Sequence, residues 1–267
     1  LYLVWRRQNF DYATDKGVGY DKTVSDFAAT LVERHGWTLM PDIWMKLIWR
    51  RLTLEFEGAM VGGRLENAGN TSQPEPYTIL QYGWLMRSQV RFLRDTLRVG
   101  LEVGMASGDQ AEPANADIDR RRYHGLGRNA DGSLIDRDGT LKEFRFDYDH
   151  QVDLILFQEL IGGVSNAIYF KPSIQYNLLD SFGGRLDLIY SMAHDPVGWP
   201  GNARNIGLEL DTEIFYRNID DGFYASLLYG VLFPFGALSR PGEIYGVSRA
   251  ADAGIAHTLQ GRIVIKF

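Results

Sequence analysis

A two-residue periodicity recurs along most of the chain and constrains the fold more than any other feature. In 205–217 one set of alternate positions reads Ile206, Leu208, Leu210, Thr212, Ile214 and Tyr216, and the other reads Gly207, Glu209, Asp211, Glu213, Phe215 and Arg217. In 95–106, Leu97, Val99, Leu101, Val103 and Met105 alternate with Arg98, Gly100, Glu102, Gly104 and Ala106. In 166–178, Ile168, Phe170, Ile174, Tyr176 and Leu178 alternate with Tyr169, Lys171, Ser173, Gln175 and Asn177. Successive side chains of a strand point to opposite faces, so a period of two with one charged face marks a strand lying between two unlike surroundings.

The pattern predicts ten strands, at about 1–10, 41–49, 52–66, 77–92, 95–106, 166–178, 184–194, 205–217, 222–234 and 255–267. The first is the least regular, because Arg6 and Arg7 are adjacent and must face opposite ways. Most exceed the ~5–6 residues usual in soluble domains. Ten residues at ~3.3 Å each, tilted ~40°, cover ~25 Å, the height of the apolar band of an outer-membrane barrel. Short turns near Arg50-Arg51, Arg94-Asp95, Leu179-Asp180-Ser181 and Asp220-Asp221-Gly222 alternate with longer links at 11–40, 67–76, 107–165, 195–204 and 235–254. Up-and-down outer-membrane barrels show this parity, with short periplasmic turns and long outer loops.

Composition is compatible with that reading. No run approaches the ~20 apolar residues of a spanning helix, and the mean hydropathy of −0.21 is what alternating strands give when the two faces cancel. The chain has no cysteine, which excludes a thiol nucleophile or a Cys-ligated metal. Its net charge of −6 argues against a nucleic-acid partner.

The fold expected is therefore an all-β, antiparallel, up-and-down transmembrane barrel over 1–267, with at least ten strands. The face opposite the apolar one carries Lys46, Glu55, Glu57, Arg87, Gln89, Arg91, Arg98, Glu102, Lys171, Arg185, Asp187, Glu209, Asp211, Glu213 and Arg262. A charge facing lipid at the midplane costs ~2–4 kcal/mol for Arg or Lys, so these side chains must face water or one another. They are read as lumen-lining groups that guide a solute, the alternative being a salt-bridged interior that only holds the barrel together. Glu209, Asp211 and Glu213 would repel along one strand unless a base such as Arg185 on the preceding strand faces them.

The loop 107–165 is long enough to fold into the lumen and narrow it. Its apolar run Val152-Asp153-Leu154-Ile155-Leu156-Phe157 predicts buried structure, either a short helix or an extra strand. Asp136-Arg137-Asp138-Gly139 has the start of a Ca²⁺-loop pattern within 129–143, although the full pattern is incomplete and solvated turn residues explain it more simply. His35, His124, His150, His194 and His257 form no pair at metal-ligand spacing, and most fall in predicted loops. No nucleophile elbow or phosphate loop is present, so no enzyme activity and no cofactor are expected.

The strand running into Glu102-Val103-Gly104-Met105-Ala106-Ser107-Gly108-Asp109 resembles outer-membrane barrels of the alginate-export type, a branch of porin-like exporters. Asn205-Ile206-Gly207-Leu208-Glu209-Leu210-Asp211 with Asp220-Asp221-Gly222-Phe223 fits the same pattern. The resemblance covers the C-terminal two-thirds. It implies an eighteen-strand barrel exporting polysaccharide, of which this chain would lack N-terminal strands. The final strand ends Ile263-Val264-Ile265-Lys266-Phe267 and resembles the signal read by the outer-membrane assembly machinery. The expected location is the bacterial outer membrane with a periplasmic C-terminus, and the expected partners are membrane lipid, that machinery, and a small polar solute or polysaccharide. The expected function is passive passage or export through a charged lumen; the alternative is a filled barrel acting through its outer loops as an adhesin or surface enzyme.

Overall fold

The computed structural model describes residues 1–12, 31–67, 76–109, 139–218, 222–239 and 252–265. They form eleven strands: β1 (Tyr2–Tyr12), β2 (Leu31–Trp49), β3 (Leu52–Leu65), β4 (Tyr77–Phe92), β5 (Leu97–Ala106), β6 (Thr140–Leu141), β7 (Ala167–Asn177), β8 (Phe182–Ala193), β9 (Asn205–Asn218), β10 (Phe223–Pro234) and β11 (Ala256–Ile265). The ten long strands build one sheet, each hydrogen-bonded antiparallel to the next in sequence. The two-residue β6 lies off this path and pairs parallel with β4. Among the described residues β1 and β11 each keep one unpaired edge, so the sheet is open there.

The register explains why alternation in the sequence becomes two coherent faces. Phe56, Met86, Val103, Phe170, Tyr190, Leu208 and Phe233 are successive cross-strand partners on β3, β4, β5, β7, β8, β9 and β10. Directly opposed residues share a face, so these seven form one apolar rung. Met86, Phe170 and Phe233 remain about two-fifths exposed, as do many other large apolar side chains of this face. Toward the short turns the same face presents Trp49, Phe92, Tyr176, Phe182 and Tyr216, all exposed. An exposed apolar band bordered by aromatic side chains is the outer surface of a membrane barrel, not of a protein in water. No helix among the described residues is long and apolar enough to cross a membrane, so the strands are the spanning elements.

Short connections at 50–51, 93–96 and 178–181 occupy one end of the sheet, and the described link at 194–204 lies at the other. Arg94 adopts φ 54° and ψ 43° in the β4–β5 turn, and Arg50 has φ 55° in the β2–β3 turn. Both are left-handed positions of the kind that tight connections, two residues long at 50–51 and four at 93–96, use to reverse the chain. Arg6 and Arg7 do occupy opposite faces of β1, where they bond Gln8 and Asn9.

One boundary differs from the sequence reading. The link predicted at 11–40 is much shorter, because β1 runs on to Tyr12 and β2 starts at Leu31. His35 has φ 46°, and the β1–β2 register shifts between Gln8 and Phe10. Such a bulge adds one residue to a strand and breaks the two-residue rhythm, which hides the continuation. Phe267 and Asp136-Arg137-Asp138 lie outside the described residues. So does most of the Ca²⁺ candidate at 129–143. No cluster of metal-binding side chains occurs among the described residues.

Candidate functional site

The second face of the sheet carries the charges, arranged by register into a rung of alternating sign. Lys46 of β2 lies opposite Glu55 of β3, Glu55 opposite Arg87 of β4, Arg87 opposite Glu102 of β5, and Glu102 opposite Lys171 of β7. Each charge is flanked by its opposite, which removes the repulsion that a one-sign row would carry. Arg87 Nε donates to Glu102 Oε2 at 2.6 Å, and Lys171 Nζ reaches Asp187 Oδ2 at 3.2 Å. Two rungs toward the turns, Gln175, Arg185 and Glu213 are successive partners. Arg185 donates to Asp187 at 2.8 Å, so the base expected to balance the acidic row of β9 is shared with β8.

Residues 139–165 cover this face at the long-loop end. The run expected to hold buried structure does so: Leu156–Ile161 is a single π-helical stretch, and Val152, Ile155, Leu156 and Phe157 are almost fully buried. They pack on Ala106, Ala167, Tyr169, Ile189, Ala193, Ile206 and Leu232 from the strands. The wall beneath the segment is apolar and includes the small residues Ala106, Ala167 and Ala193. Gly230 makes room: a Cβ there would lie 2.7 Å from Asp211 Oδ1 and 3.2 Å from Leu154 Cβ.

Polar groups fix the segment to the wall. Glu209 accepts the backbone N–H of Leu154 (3.0 Å), Ile155 (2.8 Å) and Leu156 (3.0 Å). Asp211 accepts from Leu154 as well, at 3.1 Å. Asp153 accepts from Phe157 and Gln158, closing the turn from within. Lys171 Nζ donates to the Val152 carbonyl. Asp153 is held well above the usual carboxylate range, at about 8, first by burial and then by the charge of Glu209. This corrects the reading of Glu209 as a lumen-lining residue: its relative exposure is 1%, and it anchors the segment.

A second attachment was not foreseen. His150 Nδ1 lies 3.1 Å from an Arg87 amino group, and its Nε2 lies 3.1 Å from the Tyr169 hydroxyl. Tyr169 donates in turn to Glu102 at 2.7 Å. The Tyr169 ring crosses β5 over Gly104, where a Cβ would stand 2.4 Å from it. Burial holds the His150 pKa below its ordinary value, with Arg87 and Lys171 adding to that and Glu102 opposing it. His150 was expected in a loop, and it is; nothing in its sequence neighbourhood signalled Arg87, 63 positions away. The Ser107-Gly108-Asp109 motif is likewise structural. Ser107 Oγ donates to the Lys142 carbonyl at 2.5 Å, and Asp109 Oδ2 accepts the Lys142 N–H.

Between the segment and the wall remains a cavity of about 530 Å³. It is lined by Lys46, Glu55, Arg87, Gln89, Glu102, Lys171, Arg185, Asp187, Asp211, Glu213 and Arg262 among the expected residues, and by Gln151 and Asp153 of the segment. Glu57 lines a second cavity of about 310 Å³ with Asp42, Phe144, Phe146, Asp147 and His150. Arg91 and Arg98 line neither cavity. They face each other across β4 and β5, with Arg91 3.7 Å from Asp95 at the turn. His257, on the lipid side of β11, bonds the Tyr229 hydroxyl at 2.8 Å.

No protein-family model and no curated protein matches the sequence. Among solved structures the chain is similar to the outer-membrane expressed OmpT of Vibrio cholerae, with a TM-score of 0.37 and 7% identity over 95% of this chain and 73% of that one. The membrane-barrel reading rests on the lipid-type outer face rather than on that slight likeness. The sequence expectation that the chain is not an enzyme is withdrawn. The inner face brings Arg87, Glu102, His150 and Tyr169 into one hydrogen-bonded group that their spacing in the chain concealed.

Proposed function

We propose that the protein is an outer-membrane channel through which polar solutes pass along a charged lumen. The observation that carries this reading is the 530 Å³ cavity, walled by charged side chains of both signs between the sheet and its inserted segment. Cations and anions in alternation suit a solute with many hydrogen-bonding groups better than a bare ion of one sign. A polysaccharide has that character, so export or uptake of a polysaccharide is the finer form of the proposal. The orientation proposed puts the short turns and the C-terminus in the periplasm and the long loops outside, with the barrel-assembly machinery engaging the last strand. The proposal includes neighbouring strands that complete the barrel at the open edges of β1 and β11, because unpaired backbone groups are not tolerated in hydrocarbon.

One observation favours a second reading. The segment contributes Val152, Ile155, Leu156 and Phe157 to an apolar core inside the sheet, as a plug would. Single-channel recording of the full-length protein in planar bilayers separates the two. Stable steps with a defined cation-to-anion permeability ratio support the channel. Insertion without conductance supports the filled barrel and moves attention to the outer loops.

A further inference from the structure

Two of the attachments that hold the inserted segment differ in their chemistry. Glu209 binds backbone N–H groups and needs no second side chain. The second place is a closed ring of four side chains, Arg87, Glu102, Tyr169 and His150, in which the direction of every hydrogen bond is forced. A guanidinium only donates, so His150 Nδ1, 3.1 Å from the Arg87 amino nitrogen, must be a bare acceptor. The hydrogen of the neutral ring then sits on Nε2 and is given to the Tyr169 oxygen at 3.1 Å. Tyr169 passes its own hydrogen to Glu102 Oε1 at 2.7 Å, and Arg87 Nε satisfies Glu102 Oε2 at 2.6 Å.

A second proton on His150 has no place in this ring. It would turn Nδ1 into a donor aimed at a cation. Glu102 lies 3.7 Å from Nε2, but its oxygens already accept from Arg87 and Tyr169. Lys171 of β7 and Arg87 of β4 oppose the added charge, while Glu102 of β5 and Asp147 of the segment favour it. Asp42 of β2 and Glu57 of β3 face His150 across the 310 Å³ cavity. The Phe146 ring packs against the imidazole, with ring centroids 5.4 Å apart, and offers the added proton no hydrogen-bond acceptor.

We propose that His150 is an acid-sensitive catch: protonation of its imidazole breaks the contact with Arg87, lifts residues 144–151 off β4 and widens the lumen. Arg87 lines both cavities, so its release from His150 joins them. The lifting stands on the hydrogen-bond geometry alone; its effect on passage rests on the channel reading. Asp153 cannot produce the same response, because acidification protonates that buried carboxyl more fully and seats the segment more firmly.

The natural chain has no cysteine, so a spin label on Tyr148→Cys, an exposed position of the segment, reports its mobility in the full-length protein in detergent or bilayers. Between about pH 7.5 and pH 5, the range a histidine covers, the immobilised spectral component is expected to be lost and the conductance step to grow. In His150→Asn, whose side-chain carbonyl can still accept from Arg87 but does not titrate, both changes are expected to vanish. An immobilised label at every pH overturns the catch, as does an equal acid response in His150→Asn. Mobilisation by acid in a protein that inserts but never conducts leaves the catch standing and overturns the channel.

Discussion

Glu209 Oε1 accepts the backbone N–H of Ile155 at 2.8 Å, across 54 positions of sequence, and so ties the inserted segment to the wall of the sheet. The same carboxylate takes the N–H groups on either side of that residue. This one side chain satisfies three consecutive backbone N–H groups of a buried turn. Leaving a buried donor unmatched costs ~1–3 kcal/mol. Glu209→Ala is therefore expected to lower stability by roughly 3 kcal/mol and to mobilise the segment, with Glu209→Gln intermediate because it keeps one acceptor oxygen. Denaturant midpoints in detergent and label mobility at position 148 check both.

Asp153 sets a pH dependence of its own. Its carboxyl is raised from 3.8 to about 8 by burial and the neighbouring Glu209. A group whose folded pKa is raised contributes stability that is complete below its unfolded value and is lost as pH climbs through the folded one. Segment seating is expected to weaken as pH rises toward 8 and beyond. Asp153→Asn keeps an acceptor, removes the charge and should flatten this alkaline limb while leaving the acid response of His150 intact. Label mobility from about pH 6 to pH 10 separates the two limbs.

The lipid-facing assignment of Phe170 and the inward assignment of Ser173 differ only by parity along β7. Arginine at Phe170, in the middle of the apolar rung, is expected to cost ~2–4 kcal/mol of folding into vesicles. Arginine at Ser173, which borders the larger cavity, is expected to cost much less. Similar costs at both positions would remove the basis for a membrane-spanning wall.

Gly104 and Gly230 are needed for their missing side chains. Valine at Gly230 would push Leu154 and Asp211 apart, and alanine at Gly104 would meet the Tyr169 ring. Each is expected to cost about 1–3 kcal/mol by overpacking and to loosen the segment. Gly261 has open space where a methyl group would stand, and alanine there should leave the thermal midpoint almost unchanged.

Lumen selectivity should follow the accessible charges and not the buried ones. Lys46→Gln with Arg262→Gln is expected to shift permeability toward cations, and Glu55→Gln with Glu213→Gln toward anions. Reversal potentials in a salt gradient read the sign. Equal selectivity in both variants and the natural protein would show that the solute does not travel past these residues.

How much of this was legible follows from the range of each signal. Alternation along 205–217 put Glu209, Asp211 and Glu213 on one face and Ile214 and Tyr216 on the other, and the structure agrees. Alternation failed at His35, where a bulge broke the rhythm and concealed the start of β2. It also could not grade the charges it placed inward. Glu209 is sealed under the segment, whereas Glu213, four residues on, borders open space.

By itself the sequence determined that ten long strands exist, and their two faces and the parity of their connections, though not the start of β2, because a strand's faces depend only on neighbours two residues apart. Tertiary structure alone decided which inward charges line a passage and which fasten the inserted segment. That choice depends on contacts such as Glu209 with Leu154 and Arg87 with His150, 55 and 63 positions apart, which no local pattern encodes. They exist only because the register sets five strands side by side and the apolar run 152–157 has no other place to be buried.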